Sequence, residues 1–435
     1  MESNSCVIGR AAPALHIIHK LGPTWAVRLG LLLIVAGFFF SPAAASSDAK
    51  SPESAIPISS PAGIGLRQRA SAVILFIGDG MGPAQRTAAR WQSVGQSGQL
   101  VMDTLSVSGW SSTASADSAI TDSAAAGTAI ATGVKTNNGR IAMDPLANEL
   151  TTILELAKAR GMSVGLVTTT QMAHATPAAF AAHVPDRNMM TEIAAQMLDT
   201  GVDVLLGGGE DEFLPSTESG CYPEPGERTD GRNLISEAVA AGYIYVCDET
   251  GLNTVDPNST TRLLGLFADE GMIRPFAPDL AALTQKAIDV LSQDPNGFFL
   301  MVEGGQIDWA GHLNDAANAI GDTVDFDAAV AIGKAFLASK PDVLIIVTAD
   351  HETGGMSVSL TSSGQPGEDG PFWMPDGTPF YVNWTTLGHT AADMPTTAEG
   401  PWSDLLAGTN KNTRIFEAMN SAIQWWVWLP LVIRS

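Results

Sequence analysis

Asp308 and His312 stand four residues apart, the separation that puts two side chains on one face of a helical turn, where both can reach one ion. Asp350 and His351 are adjacent, just past an apolar run, and His389 follows within Leu-Gly-His-Thr. Beyond residue 45 the only histidines are at 174, 183, 312, 351 and 389, and two of the last three have an aspartate at ligand spacing. Imidazole and carboxylate donors without cysteine suit a catalytic zinc site with open positions. Asp79 in Gly78-Asp79-Gly80-Met81-Gly82, Thr176 after His174, and Glu303 add oxygen donors, and oxygen-only groups such as Glu303 and Thr176 suit magnesium. Each has a plainer use: Asp79 among glycines can serve a turn, and Asp-His pairs are common on surfaces.

A nucleophile candidate precedes an alanine-rich segment that reads as a helix. Ser123, after Asp122, would stand at its N-terminus, where free amides and the dipole favour an anion. The alternative use of both residues is to cap that helix. The glycines at 78, 80 and 82 miss dinucleotide-fingerprint spacing, no Gly-Lys-Ser/Thr follows them, and no Gly-x-Ser-x-Gly elbow is present. A dinucleotide site, a phosphate loop and a hydrolase triad are therefore unsupported.

The elements that must position these groups are short apolar runs at 73–77, 164–169, 202–206, 298–302 and 343–347. Runs apolar throughout, rather than alternating, suit parallel strands covered on both faces. Helices are expected at 149–159, 189–198, 279–291 and 322–338, giving a strand-helix alternation and an α/β sandwich. Four of the runs lead directly to Asp79, His174, Glu303 and Asp350, so one sheet edge would collect the candidate donors. The glycines at 207–209 read as a strand-to-loop turn and residues 354–388 as an irregular excursion.

The 435 residues carry 46 Asp plus Glu against 23 Lys plus Arg, a net charge of −23, with 45% hydrophobic residues. Such an acid excess excludes a sequence-independent nucleic-acid binder and disfavours an anionic membrane surface as main partner. Residues 1–45 read as a signal peptide: Lys20 and Arg28 precede a 12-residue apolar run at 29–40 and the small residues Ala43-Ala44-Ala45, and the run is too short to span a membrane. Cleavage after Ala45 would send the chain to the periplasm or outside the cell and leave 45 acids against 20 bases. Cys221 and Cys247 would remain, either as a disulfide or as two separate thiols. Residues 46–70 read as a flexible tether, 71–420 as one catalytic domain, and 421–435 as a Trp-rich apolar tail of unassigned role.

The motifs VILFIGDGMG, TDSAAAGTAIATGVKT, HATPAAFAAHVPDR, EGGQIDWAGH, VTADHETGG and GHT occur in the order and approximate spacing of the alkaline phosphatase family, which the chain resembles over residues 72–390. That resemblance implies a three-layer α/β/α sandwich with a large, mostly parallel central sheet. It implies hydrolysis of phosphate monoesters with varied leaving groups through a phosphoserine, with two zinc ions and one magnesium. Carried over residue by residue, Asp308, His312 and His389 resemble the ligands of one zinc, and Asp79, Asp350, His351 and the nucleophile Ser123 those of the other. Asp79 also resembles the bridge to magnesium, with Thr176 and Glu303. Arg187 matches the arginine that grips phosphate. Asp122, His174 and Trp309 fall beside these groups; His174 stands where the best-known bacterial member has aspartate, and Trp309 where it has lysine. The 351–389 stretch is shorter than in larger relatives, so only a reduced crown region is expected. A phosphodiesterase on the same scaffold, or a pseudoenzyme that binds phosphate or metal, is the alternative, and both monomer and homodimer remain open.

Overall fold

The computed structural model describes residues 68–424, so the leader, most of the tether and residues 425–435 of the tail lie outside the described residues. In chain order the strands are β1 Ala72–Gly78, β2 Val107–Ser112, β3 Ser163–Gln171, β4 Val204–Gly208, β5 Ile244–Val246, β6 Leu263–Leu266, β7 Phe298–Gly304 and β8 Val343–Thr348. There follow β9 Glu352–Thr353, β10 Ser357–Ser359, β11 Asp369–Trp373, β12 Pro379–Asn383, β13 His389–Thr390, β14 Met394–Glu399 and β15 Gly408–Lys411. Ten of them form one sheet in the order β15-β2-β14-β8-β1-β7-β3-β4-β6-β5. From β8 to β5 the pairing is parallel; β14 runs antiparallel to both its neighbours.

Alternation along β1 shows why its apolar run has no polar face. Val73, Leu75 and Ile77 enter one hydrophobic core, and Ile74 and Phe76 enter the other. Helices Ser123–Thr132, Ala175–Ala181 and Thr413–Ile423 cover the first face, and Pro83–Val94, Leu280–Leu291 and Ala316–Ser339 the second, which makes the three-layer sandwich. All five expected strands are present. The helix expected at 322–338 starts earlier, at Ala316, because Asp315 caps it by accepting from the Asn318 amide. That expected at 149–159 starts later, at Ile153, where Thr152 and Glu155 form a capping box.

Three readings need correction. Gly207 and Gly208 are not a turn: Gly207 pairs with Leu266 in the sheet, and a Cβ on Gly208 would lie 2.1 Å from the Glu270 carbonyl oxygen. The 354–388 excursion contains a small antiparallel sheet, β10-β12-β11, hidden from a sequence reading by its Gly, Pro and Ser content. The last helix runs to Ile423, past the boundary set at 420, and the Ala422 carbonyl accepts from the Ala70 amide at 2.8 Å.

Cys221 and Cys247 are joined in a disulfide, 26 residues apart in sequence. Loop-closure entropy for that separation is worth about 3.5 kcal/mol. The Cys221→Ser/Cys247→Ser double variant should therefore melt at lower temperature than the oxidised protein, and the two should converge when the latter is reduced.

Candidate active site

The four central neighbours β8, β1, β7 and β3 end at the same sheet edge. Asp79 follows β1, Glu303 is the penultimate residue of β7, His174 and Thr176 follow β3, and Asp350-His351 follow β8. Helix Gln306–His312 begins directly after β7 and carries Asp308, Trp309 and His312.

Asp308, His312 and His389 converge. The Nε2 atoms of His312 and His389 lie 3.3 and 3.5 Å from the Asp308 carboxylate oxygens. Their Nδ1 atoms lie 2.6 Å from the Leu387 carbonyl and 2.9 Å from that of Thr121. A carbonyl only accepts, so each Nδ1 carries a proton, and in the neutral rings two Nε2 lone pairs face each other at 3.1 Å. That contact is repulsive unless one Nε2 takes up a proton or a metal cation lies between, and it approaches the roughly 3.3 Å separating two tetrahedral nitrogen ligands of zinc. Burial alone would raise Asp308, but contacts with His312 and His389 outweigh it and hold this carboxyl well below the usual range. Asp308 in turn pushes His312 up to about 9.

A second group centres on His351 Nε2, which is 3.2 Å from Asp350, 3.5 Å from Asp79 and 3.2 Å from the Ser123 hydroxyl. Asp79, Glu303 and His174 form a third, with Asp79 common to both. Both oxygens of Asp79, Oε1 of Glu303, Oδ2 of Asp350 and Oγ1 of Thr176 are buried with no hydrogen-bond partner. Burial and then mutual repulsion raise Asp79 well above the ordinary carboxyl range. Burial pushes Glu303 up to about 7 and, with repulsion from Asp308, Asp350 up to about 6. Converging buried carboxylates with empty lone pairs are costly unless cations compensate them, so the donor sets fit metal ions.

Ser123 is the first residue of its helix and is buried. Asp122 is the cap, accepting from the Ala125 amide at 3.0 Å, but it also accepts from the Arg187 guanidinium at 3.2 Å. The two uses of this dipeptide are thus divided between its residues. The other arm of Arg187 lies 3.1 Å from His174 Nε2. Burial, then Arg187, lowers His174 to about 3, so its ring is neutral. Trp309 meets His174 edge to face, with centroids 6.1 Å apart.

All thirteen residues singled out from the sequence therefore fall in one neighbourhood. His183, the remaining histidine among the described residues, lies elsewhere, between Glu155 and the Ala142 carbonyl. Sequence reasoning missed three threonines. Thr168 and Thr170 donate to Glu303, and Thr353 donates to Asp308 while lying 3.3 Å from His351 Nδ1, so it touches two groups at once. The signal for the first two was present: Thr168-Thr169-Thr170 is a polar run at the end of a buried parallel strand.

The family model for alkaline phosphatase matches residues 70–370. Alkaline phosphatase 3 of Bacillus subtilis is 34% identical over 81% of this chain and 89% of its own length. Streptomycin-6-phosphate phosphatase of Streptomyces griseus is 36% identical over 81% and 90%. Among solved structures, alkaline phosphatase from the Antarctic bacterium TAB5 superposes with a TM-score of 0.71 at 30% identity, over 83% of this chain and 99% of that one. The cold-active enzyme of a Shewanella species gives 0.70 at 34%, over 81% and 100%. With a family model matched over residues 70–370, relatives 34–36% identical over 81% of the chain and a solved structure superposing with a TM-score of 0.71, this chain belongs to the alkaline phosphatase family.

Proposed function

We propose that this phosphatase hydrolyses phosphate monoesters through a phosphoserine at Ser123. Its cofactors are one zinc held by Asp308, His312 and His389, a second by Asp79, Asp350 and His351, and magnesium by Asp79, Thr176 and Glu303. The observation that carries the reading is the Ser123 hydroxyl 3.2 Å from His351 Nε2, at a helix N-terminus, beside buried carboxylates with unpartnered oxygens.

When bound, the metals supply positive charge that lowers the pKa of a hydroxyl or of water and neutralises charge developing on the phosphoryl group. The protein supplies position. Ser123 Oγ forms the bond to phosphorus as the bond to the leaving alcohol breaks, and water later releases phosphate from the serine. Amides at the start of helix Ser123–Thr132 favour the negative phosphoryl group. Arg187, held by Asp122, offers a planar fork that stays charged at alkaline pH and matches two non-bridging oxygens. That preference for a dianion favours a monoester over a diester. Because the recognition is aimed at the phosphoryl group, leaving-group tolerance should be broad, with Trp309 and His174 shaping the pocket.

Arg187→Ala should therefore cost roughly 1.5–3 kcal/mol of phosphate recognition, a ten- to hundredfold loss in kcat/KM, and weaken competitive inhibition by inorganic phosphate in parallel. The reading as a whole is tested by metal analysis together with parallel assays of an aryl monoester and a bis-aryl diester. Faster cleavage of the diester would replace it with the phosphodiesterase reading, and metal binding without hydrolysis with the pseudoenzyme.

Export after cleavage near Ala45 belongs to the same proposal. The Cys221–Cys247 disulfide supports an oxidising compartment, and no helix among the described residues is long and apolar enough to cross a membrane. The mature charge of −25 repels anionic substrates at long range. Screening within roughly 8–10 Å at physiological salt confines capture to the cation-rich pocket and Arg187.

A further inference from the structure

Strands β9 and β13 are two residues each, yet their pairing brings two of the histidines together. His389 lies opposite Thr353 and Thr390 opposite Glu352, and the His389 ring stacks on that of His351 with centroids 3.5 Å apart. A ladder this short fixes its own register weakly, and a slip of one residue would turn His389 to the other face. Side chains must hold what the backbone does not.

Glu352 is 4% exposed and takes no part in the candidate metal groups. Its Oε1 accepts from Gln85 Nε2 and from the Met356 amide, both at 3.0 Å, and its Oε2 from the Gly355 amide at 3.2 Å and from the Thr390 hydroxyl. The two amide bonds close a local turn, which any short acidic side chain can do. The other two reach 267 residues back and 38 residues ahead. Gln85 lies in the first turn of helix Pro83–Val94, just past Asp79, and its Nε2 also donates to the Thr353 carbonyl at 2.8 Å. Gly82 belongs to the same contact: a Cβ there would lie 2.1 Å from Glu352 Cγ, so the last glycine of Gly78-Asp79-Gly80-Met81-Gly82 makes room for this side chain. Thr390 directly follows His389. All four partners donate, which an ionised carboxylate matches and an amide cannot.

We infer that Glu352 is a positioning residue: through Thr390 and Gln85 it clamps β13 to the segment that follows Asp79, and so presents His389 to Asp308 and His312. The inference rests on the zinc site proposed at those three residues. None of the four partners of Glu352 is a candidate ligand, so it acts on the site only through the segments it ties. Thr353 works from the same strand by donating to Asp308, and β9 thereby holds two members of one ligand group. A partner that orients a ligating histidine raises metal affinity because the ligand no longer has to be ordered when the ion binds.

The test is zinc retention by the full chain at fixed magnesium, read by competition with a chromogenic chelator, beside turnover of an aryl monoester at limiting and excess zinc. Glu352→Gln should hold one zinc at least about tenfold more weakly than the wild type, and excess zinc should restore most of kcat. Thr390→Val removes one donor and leaves the turn bonds of Glu352 in place, so it should show the same loss in smaller measure and decides the question even where Glu352→Gln fails to fold. Thr390→Ser, which keeps the hydroxyl, should retain wild-type zinc affinity. Undiminished zinc affinity in Thr390→Val and Glu352→Gln would overturn the inference. So would a loss of turnover that excess zinc does not restore, because a merely structural fault acts without the metal. Zinc uptake by neither the wild type nor the variants would overturn the proposed zinc site, and this inference with it.

Discussion

Ser123→Ala is expected to lower turnover of an aryl phosphate monoester by at least about a thousandfold, because no neighbouring group can replace the nucleophile. The site should otherwise survive. Ser123 is buried at the first position of a helix whose cap is Asp122, and removing one hydroxyl leaves the Asp122 bonds to Ala125 and Arg187 in place. The variant should melt near the wild-type temperature and still bind phosphate, while acid quenching of the reaction yields no labelled phosphoprotein. If label persisted, the nucleophile would have to be sought elsewhere; if activity persisted without label, the reaction would be a direct attack by water.

Removing the metals should have the second large effect, on activity and on pH dependence together. A chelator should reduce hydrolysis to background, with zinc plus magnesium restoring it. In the stripped protein Glu303 is pushed up to about 7 and Asp350 to about 6, chiefly by burial, and His312 to about 9 by Asp308. The sign is the same for all three. A raised folded-state pKa gives stability that is complete below the unfolded value and is lost as pH rises through the folded one. In the stripped protein the stability these three groups contribute should therefore fall from about pH 4 to pH 9, most clearly above pH 6.5 where the neutral His174 no longer offsets it, and reloaded protein should lose much less, because cations compensate the ionised carboxylates. Melting curves at three pH values, with and without metals, measure this directly. Parallel profiles would mean that these side chains do not hold the ions.

The parallel core strands were legible because burial on both faces leaves no polar position, so 73–77 and 343–347 read as unbroken apolar runs. The mixed edge was not. Val107–Ser112 and Met394–Glu399 are rich in Ser and Thr, and their pairing, Thr396 opposite Gly109 for instance, joins residues nearly 290 positions apart. Local pattern carries no information about such a partner. Helix starts shifted for a related reason: Asp315 and Thr152 cap their helices through side-chain geometry that hydrophobic periodicity does not register.

For the site, residue type and spacing by themselves determined the donor inventory. Scarce histidines beside aspartates, a serine after Asp122 and apolar strands ending in carboxylates sufficed to name the candidate groups and, with the motifs in register, the family. Only the tertiary structure decided how they face one another. It turned the Nε2 atoms of His312 and His389 together at 3.1 Å, left the oxygens of Asp79 without donors, and divided Asp122 between a helix cap and Arg187. It also assigned Thr353, which no motif reading selected, to both Asp308 and His351. The physical reason is that a side chain's chemistry is local and readable. Its protonation and free lone pairs depend on burial and on neighbours that distant segments bring to the same sheet edge.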